Sequence, residues 1–176
     1  MKEFSLSKVY RLIEPGPVVL LTTEYRGRRN VMAMSWHMML EFEPPLIACV
    51  VSRRNHSFAA LRAKRECVIA IPSVALATKV VKIGGCSGRR IDKFKTFRLT
   101  PIDAARVAPP LIAECFANLE CRVVDTRMVN SYNLFVLEVL KAWRDPAQKT
   151  PKTIHHHGYG SFVVDGKTLR IRSGMR

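Results

Sequence analysis

The sequence predicts a mainly β protein in which short strands form a barrel and a few short helices are attached to it. Runs of aliphatic and β-branched residues recur along the chain between turns that contain Gly, Pro, Asn or Asp. The helical stretches between these runs are few and short, whereas a doubly wound parallel sheet needs a helix after nearly every strand. Because no repeat or low-complexity linker interrupts the 176 residues, we predict one domain over residues 1–176.

The first part of the chain predicts a β-hairpin followed by a buried strand. Residues 18–23 are rich in Val, Leu and Thr, and a polar turn with a glycine at 24–29 leads into the mixed run 30–35. Residues 46–51 are continuously apolar and follow Pro44-Pro45. Such a run is typical of a strand that is buried on both faces.

The helices are predicted in the middle of the chain. Residues 56–64 have helical character, and residues 65–71 return to a strand pattern. A second helix is predicted over residues 73–83, capped by Ser73 and ended by the glycine pair that follows. Residues 86–98 are polar and basic, which predicts a loop or a short helix.

The last part of the chain returns to strands. Residues 116–125 and 134–143 are predicted to form a long antiparallel pair. Residues 161–164 and 168–171 are predicted to form a hairpin about Asp165-Gly166, since Asp-Gly favours tight hairpin turns.

The charge balance is strongly basic, because 29 Lys and Arg against 14 Asp and Glu leave a formal net charge of +15. An excess of this kind attracts phosphate groups in nucleic acid, at a membrane surface or on a small ligand. The cations are nevertheless spread along the whole chain with only short clusters. A solvated basic surface is therefore the simpler explanation.

The cysteines and the apolar runs indicate the compartment. Five cysteines without a CxxC pair favour neither a disulfide framework nor metal-ligand spacing, so we expect buried, reduced thiols. No run reaches the roughly 18 apolar residues of a membrane span, and residues 1–14 lack the apolar block of a secretory signal. We expect a soluble cytoplasmic protein that does not associate with membranes.

Several common catalytic motifs are missing from the sequence. There is no GxGxxG after a strand, no GxxxxGK before Ser or Thr, no HExxH and no GxSxG. The run His155-His156-His157 contains good metal ligands, but successive side chains of a strand point to opposite faces. We therefore predict no metal site, and place these histidines on the surface or at the rim of a pocket.

Two basic segments are candidate phosphate sites. Ser57 lies at the start of a predicted helix close to Arg53 and Arg54, and a helix N-terminus offers free N–H groups to an anion. The alternative is that Ser57 or Asn55 only caps the helix. Lys93 offers a second point charge, with the alternative that it faces water at the start of a surface helix.

Taken together, the segments resemble the flavin reductase-like family, which includes flavoredoxin and has the FMN-binding split-barrel fold. The resemblance covers nearly the whole chain, and it depends on the order of several motifs. These motifs are Gly16-Pro17 with Thr22-Thr23, Asn30 to Ser35-Trp36, Pro44-Pro45-Leu46, the segment ending at Ser57, Ser87-Gly88 with Asp92-Lys93-Phe94, Leu99-Thr100-Pro101, residues 117–122, the strand with Glu138, and Gly158-Tyr159-Gly160.

The resemblance implies a homodimeric split barrel that binds FMN and uses NADH or NADPH as a transient substrate without a Rossmann domain. Positions matching Asn30 and Trp36 contact FMN in related proteins, and those matching Ser57 and Lys93 serve its phosphate. Further lining groups are implied for the ring and ribityl chain: Met34, Ser35, Val51, Ser52 and Arg53. Tyr159 and Phe162 are candidates for aromatic edges of the site, with a core role as the alternative.

Two positions depart from the pattern of the family. Tyr132 stands where relatives often have a histidine, and Leu137 stands where they often have a glycine before the glutamate. Because Tyr132 has no imidazole, the contact that a histidine makes to the flavin or nicotinamide in relatives is not expected here. Because Leu137 is larger than glycine, a narrower flavin pocket is expected.

The predicted activity is hydride transfer from NAD(P)H to the flavin, in which the flavin carries the redox chemistry. Because this transfer needs no side-chain nucleophile, the absence of an obvious catalytic triad is expected, and the sequence identifies no catalytic residue. An FMN-holding electron carrier reduced by a redox partner protein is the alternative function. A nucleic-acid-binding barrel ranks last, because the aromatic residues are scattered and form no cluster for base stacking.

Overall fold

The structure is a computed structural model that describes residues 16–169. A seven-stranded antiparallel sheet dominates it, in the order β2-β1-β5-β8-β9-β4-β3. Two smaller sheets pair β6 with β7 and β10 with β11. The strands are β1 (Val19–Tyr25), β2 (Arg28–Met34), β3 (His37–Glu41), β4 (Leu46–Val50), β5 (Glu66–Ile71), β6 (Pro101–Ile102), β7 (Leu111–Ile112), β8 (Ala117–Asp125), β9 (Leu134–Arg144), β10 (Ile154–Gly158) and β11 (Ser161–Val164).

The large sheet curls because its two edge strands follow one another in the chain. β2 and β3 stand at opposite ends of the strand order, yet only Ser35 and Trp36 separate them. The two edges must therefore meet at this step. The Val50 N–H donates to the Trp36 carbonyl at 3.0 Å, which joins the step to the end of β4. The predicted mainly β barrel is confirmed.

The β1–β2 hairpin is confirmed, and its turn explains its register. Arg26 and Gly27 have φ values of 52° and 71°, as a two-residue turn with positive φ at both positions requires. That turn pairs Tyr25 with Arg28 and brings Thr23 directly opposite Asn30. The predicted long antiparallel pair of residues 116–125 and 134–143 is also confirmed as β8 and β9.

A hydrophobic core lies on each face of the sheet. Val19 and Leu21 of β1 pack into one cluster with Phe58, whereas Leu20 packs into the other cluster with Ile83. This alternation follows from the two-residue period of a strand. The second cluster is covered by short helices, which bring their loops over β2 and thereby position the candidate site.

The helices are α1 (His56–Lys64), α2 (Ala77–Gly84), α3 (Lys93–Thr96) and α4 (Val129–Tyr132). α1 has the predicted bounds. The predicted cap at Ser73 is wrong, because its side chain makes no capping hydrogen bond and a single 3-10 turn precedes α2. Asp92 does cap α3, since its carboxylate accepts a hydrogen bond from the Lys95 N–H at 3.2 Å.

The predicted hairpin about Asp165-Gly166 is wrong. β11 pairs instead with β10, and the turn between them uses Tyr159 and Gly160, which have φ values of 50° and 77°. Asp165 lies just after β11, at the open end of this hairpin, and joins it to the residue before β10. Its carboxylate accepts hydrogen bonds from the Thr153 N–H and hydroxyl at 2.8 and 2.7 Å. Residues 167–169 form no strand, and residues 170 and 171 lie outside the described residues.

The N-terminal residues 1–15 also lie outside the described residues. Within residues 16–169, none of the helices is long and apolar enough to cross a membrane.

Candidate functional site

The site begins with three polar side chains that meet beneath the start of α1. Ser57 is only 1% exposed, and its hydroxyl accepts a hydrogen bond from the Asn30 amide at 2.8 Å. The Thr23 hydroxyl lies 3.4 Å from the same oxygen. Because Thr23 and Asn30 are paired across β1 and β2, the hairpin brings both side chains to Ser57.

Helix capping does not explain Ser57. The N-cap of α1 is Asn55, whose own side chain makes no capping hydrogen bond. Ser57 lies inside the helix and uses its hydroxyl oxygen for Asn30 instead. The first turn of α1 therefore keeps N–H groups without a side-chain cap next to a buried hydroxyl, which is an arrangement that binds anions.

Lys93 is a buried cation and only 4% exposed. The alternative interpretation, that it faces water at the start of a surface helix, is therefore wrong. Its ammonium donates a hydrogen bond to the Ile83 carbonyl at 2.8 Å. Burial lowers the pKa of Lys93 below its ordinary value. Within residues 16–169 no carboxylate forms an ion pair with it. A buried ammonium with spare N–H groups is suited to an anionic ligand.

Asn30, Ser57 and Lys93 all line one cavity of about 180 Å³, here called the polar cavity. Among residues 16–169 no carboxylate lines it, while Arg54 and Lys93 both do. The pKa of His56 in its wall is lowered, first by burial and then by nearby positive charges. The remaining lining residues are Met32, Ala33, Asn55, Ile83, Gly84, Cys86, Ser87 and Gly88.

Gly88 allows the loop before α3 to approach β2 closely. A Cβ at this position would lie 2.0 Å from the Asn30 amide oxygen and 3.1 Å from the His56 ring. Any side chain here would displace Asn30 from its position beside Ser57. A glycine is therefore required for the observed geometry.

A second, more apolar cavity of about 330 Å³ shares Ala33 and Gly84 with the polar cavity. It brings together three of the predicted residues, Met34, Ser35 and Phe162. His156 also lines it and packs on Phe162 with ring centroids 5.2 Å apart, which agrees with a position at a pocket rim. The other lining residues are Val18, Val80, Val81 and Gly160.

The other predicted residues lie apart from both cavities. Trp36 is 56% exposed at the β2–β3 step, Tyr159 is exposed in the β10–β11 turn, and Val51 is fully buried in the core. The Ser52 hydroxyl accepts a hydrogen bond from the Arg54 N–H at 3.3 Å, and Arg53 donates to the Asn130 carbonyl at 2.6 Å.

Tyr132 and Leu137, the two residues that depart from the family pattern, lie in different surroundings. Leu137 is fully buried in the main core and lines neither cavity, so the predicted narrowing of the pocket is wrong. Its side chain faces the core because the pleat of β9 places Phe135 and Leu137 on the same face. Tyr132 is largely exposed at the end of α4, next to Asn133, whose carbonyl accepts a hydrogen bond from the Val51 N–H.

Comparison with known proteins assigns this arrangement to a family. The family described as "Flavin reductase like domain" matches residues 10–162. The chain belongs to the flavin reductase-like family. It is 34% identical to the uncharacterized protein YddH of Escherichia coli (strain K12), with 93% of each chain covered.

Solved structures of this family share the fold. The FMN-binding domain of a flavin reductases-like enzyme from Shewanella baltica is 27% identical, with a TM-score of 0.82 and 96% of both chains covered. The flavoredoxin of Desulfovibrio vulgaris (Miyazaki F) is 22% identical, with a TM-score of 0.86 and coverage of 99% of this chain and 98% of that one. The predicted split-barrel fold and family are therefore confirmed.

Proposed function

We propose that this member of the flavin reductase-like family binds FMN and transfers a hydride from NADH or NADPH to it. One observation carries the proposal: the buried Lys93 ammonium and Ser57 hydroxyl line a cavity to which the described part of the chain contributes no carboxylate. A phosphate is an anion of the right charge for such a cavity. The FMN-binding domain from Shewanella baltica supports the choice of flavin.

The residues of the polar cavity fit the phosphate end of FMN. Lys93 uses one of its three N–H groups for Ile83, so two remain for phosphate oxygens. The uncapped N–H groups at the start of α1 add further donors. The volume of about 180 Å³ is below the roughly 300 to 1,000 Å³ of pockets that enclose a whole ligand, so the flavin ring lies outside this cavity.

The ring is proposed to lie along the β2–β3 step. The end of β4, which leads into Val51 to Arg53, adjoins the Ser35-Trp36 step there, because the Val50 N–H donates a hydrogen bond to the Trp36 carbonyl. Met34 and Phe162 supply apolar surface at one side of the step. When bound, FMN supplies the redox chemistry, since its ring can take up a hydride.

The residues of the chain bind and orient the cofactor in this proposal. Ser57 and Lys93 fix the phosphate, Asn30 holds the Ser57 hydroxyl, and the apolar wall with Met34 excludes water from one side of the ring. No side chain needs to act as a nucleophile. Positioning and electrostatics therefore constitute the contribution of the protein.

A homodimer is proposed because β3 carries apolar side chains outward. Met38, Met39 and Leu40 are about half exposed, and Phe42 is 90% exposed just beyond the strand. Large exposed apolar side chains concentrated in one strand are typical of a protein interface. Since β3 follows Trp36, a partner on this surface would also cover the proposed ring site.

An FMN-holding electron carrier is the second candidate function. The fold shared with a flavoredoxin and the exposed cations Arg53 and Arg54 beside the site favour it. Exposed cations of this kind attract an acidic partner protein. In that case electrons arrive from a redox protein, and NAD(P)H is at most a poor donor.

One experiment separates these two functions. The purified protein is loaded with FMN and mixed anaerobically with NADH, with NADPH, or with a reduced low-potential electron-transfer protein. Fast bleaching of the flavin by either nicotinamide supports the reductase. Slow bleaching by both nicotinamides together with fast bleaching by the protein donor supports the carrier, and failure to bind FMN contradicts both.

A further inference from the structure

A third cavity, of about 610 Å³, lies next to the polar cavity and has no role in the function proposed above. Gly88 lines both cavities, so they adjoin at this residue. We call this cavity the basic groove. It is lined by Gly27, Arg28, Arg29, Gly88, Ile91, Asp92, Phe94, Lys95, Arg98, Leu99, Thr100 and Pro101.

Among residues 16–169, four cationic side chains and one carboxylate line the basic groove, so its net charge is positive. Arg29 and Lys95 form ion pairs with nearby carboxylates. Within residues 16–169, the guanidinium groups of Arg28 and Arg98 form neither ion pairs nor hydrogen bonds with other side chains. Two guanidinium groups are therefore available for an anionic ligand.

The backbone around Arg98 holds this residue at the wall of the groove. Its φ of 51° lies in the left-handed region, which non-glycine residues seldom adopt. Two hydrogen bonds fix this conformation. The Arg98 N–H donates to the Lys95 carbonyl at 3.2 Å, and the Lys79 ammonium donates to the Arg98 carbonyl at 3.2 Å.

The other walls of the groove are suited to a flat ring. Ile91, Phe94, Leu99 and Pro101 supply apolar surface between the cations. The volume of about 610 Å³ lies within the range of about 300 to 1,000 Å³ that is usual for sites of small ligands. A phosphate joined to a planar heterocycle combines the charge and the apolar surface that this groove would bind.

We propose that the basic groove binds the adenylate half of FAD, so that the chain binds FAD more tightly than FMN. This inference rests on the proposed function, because the polar cavity must hold the phosphate next to the ribityl chain. In FAD that phosphate is linked to a second phosphate and an adenosine. Arg28 precedes Asn30 by two residues on β2, so both side chains lie on the same face and extend the site from one cavity to the next.

The test is a titration of the flavin-free protein with FAD and, separately, with FMN. Binding is measured by the quenching of flavin fluorescence. The variant Arg28→Gln/Arg98→Gln removes both available guanidinium groups. The variant Lys64→Gln/Lys82→Gln removes the same charge from exposed residues that line none of the three cavities. Wild type is expected to bind FAD more tightly than FMN.

In the arginine variant the affinity for FAD should fall by about 10- to 100-fold, as expected for the loss of two charge-assisted contacts. Its affinity for FMN, and both affinities of the lysine variant, should change by less than about threefold. Equal binding of FMN and FAD by wild type overturns the inference, and so does an unchanged ratio in the arginine variant.

The outcomes also separate this inference from the function on which it rests. Binding of FMN with no gain for FAD removes only the assignment of the basic groove, whereas failure to bind either flavin removes both. The competing assignment is that the basic groove holds the adenosine end of NADPH. It is tested by measuring the KM for NADPH of the FMN-loaded Arg28→Gln/Arg98→Gln variant. A raised KM for NADPH with an unchanged ratio of FAD to FMN affinity would overturn the assignment to FAD.

Discussion

Replacement of Lys93 by Met tests the phosphate site most sharply, because the two side chains have similar length and only one carries a charge. In the described part of the chain the Lys93 ammonium donates a hydrogen bond to the Ile83 carbonyl alone, and it lines the cavity beside Ser57. A hydrogen bond to a charged group contributes about 1.5 to 3 kcal/mol. Lys93→Met should therefore raise the Kd for FMN by about 10- to 150-fold.

The flavin-free variant should behave differently from the flavin-bound variant. Lys93→Met removes the hydrogen bond to Ile83 but also removes the free-energy cost of burying an ammonium. Because these effects oppose each other, the free energy of unfolding without FMN should change by less than about 1 kcal/mol. The same concentration of FMN, in excess of both Kd values, should then stabilise the variant less than wild type, and the difference in the free energy of unfolding should equal RT times the logarithm of the ratio of the two Kd values.

The pH dependence of unfolding gives an independent check on Lys93. Its pKa is lower in the folded protein than the ordinary lysine value, so the unfolded chain binds more protons between these two pKa values. In this alkaline window the residue makes the free energy of unfolding rise with pH, and that contribution should be absent from Lys93→Met. Flavin binding should weaken over the same window as the ammonium loses its proton.

The assay is a fluorescence titration with FMN, together with urea unfolding with and without the flavin. Lys82→Met is the matched control, because Lys82 is exposed and is followed directly by Ile83, which provides the carbonyl. An unchanged Kd for FMN in a folded Lys93→Met variant would refute the phosphate site.

Three further predictions test other parts of the account. Ser57→Ala leaves the buried Asn30 amide without its partner, so the free energy of urea unfolding should fall by about 1 to 3 kcal/mol; no loss would contradict the network. The hydrogen bonds from Thr153 lower the pKa of Asp165, so its contribution to stability is present above roughly pH 4 and is lost as the pH falls through the folded pKa. Urea midpoints measured across acidic pH should therefore depend less on pH in Asp165→Asn than in wild type, and equal slopes would count against this. Phe42→Asp places a charge in the proposed interface and should convert a dimer into a monomer in sedimentation experiments; a dimer in the variant would locate the interface elsewhere.

The elements that the sequence predicted well are those with local signals. α1 follows from the apolar pair Phe58 and Leu61, three residues apart, with Ser57 near the start of the helix. The β8–β9 pair follows from two long strand-like runs, and the β1–β2 turn follows from a polar segment with a glycine. The sequence pairs residues 161–164 with residues 168–171 rather than with β10, because Asp-Gly is the stronger local signal for a turn. The turn of the hairpin is formed by Tyr159-Gly160 instead, and the Asp165 carboxylate accepts a hydrogen bond from the Thr153 hydroxyl.

β3 could not be predicted from periodicity. Its sequence HMMLE has apolar residues at successive positions, and four of its five residues are exposed in the single chain. A strand of this kind lacks the alternation that marks one buried face. What covers it lies outside the chain in the proposed dimer, so its burial cannot be read from local sequence.

The candidate site was partly predictable. Asn30, Ser57 and Lys93 are far apart in sequence, and no local spacing indicates that they meet in one cavity. Only the order of motifs resembling a known family indicated this. The basic groove was not predicted, because Arg28 and Arg98 come together through the packing of α3 against β2.

The most direct test of the central claim is the visible spectrum of the purified protein after mixing with FMN and removal of free flavin, followed by anaerobic addition of NADH or NADPH. We expect one FMN to be retained per chain, and at least one of the two nicotinamides to bleach its absorbance rapidly. Failure to retain FMN, or retained FMN that neither nicotinamide bleaches, would contradict the assignment of the chain as an NAD(P)H-dependent flavin reductase.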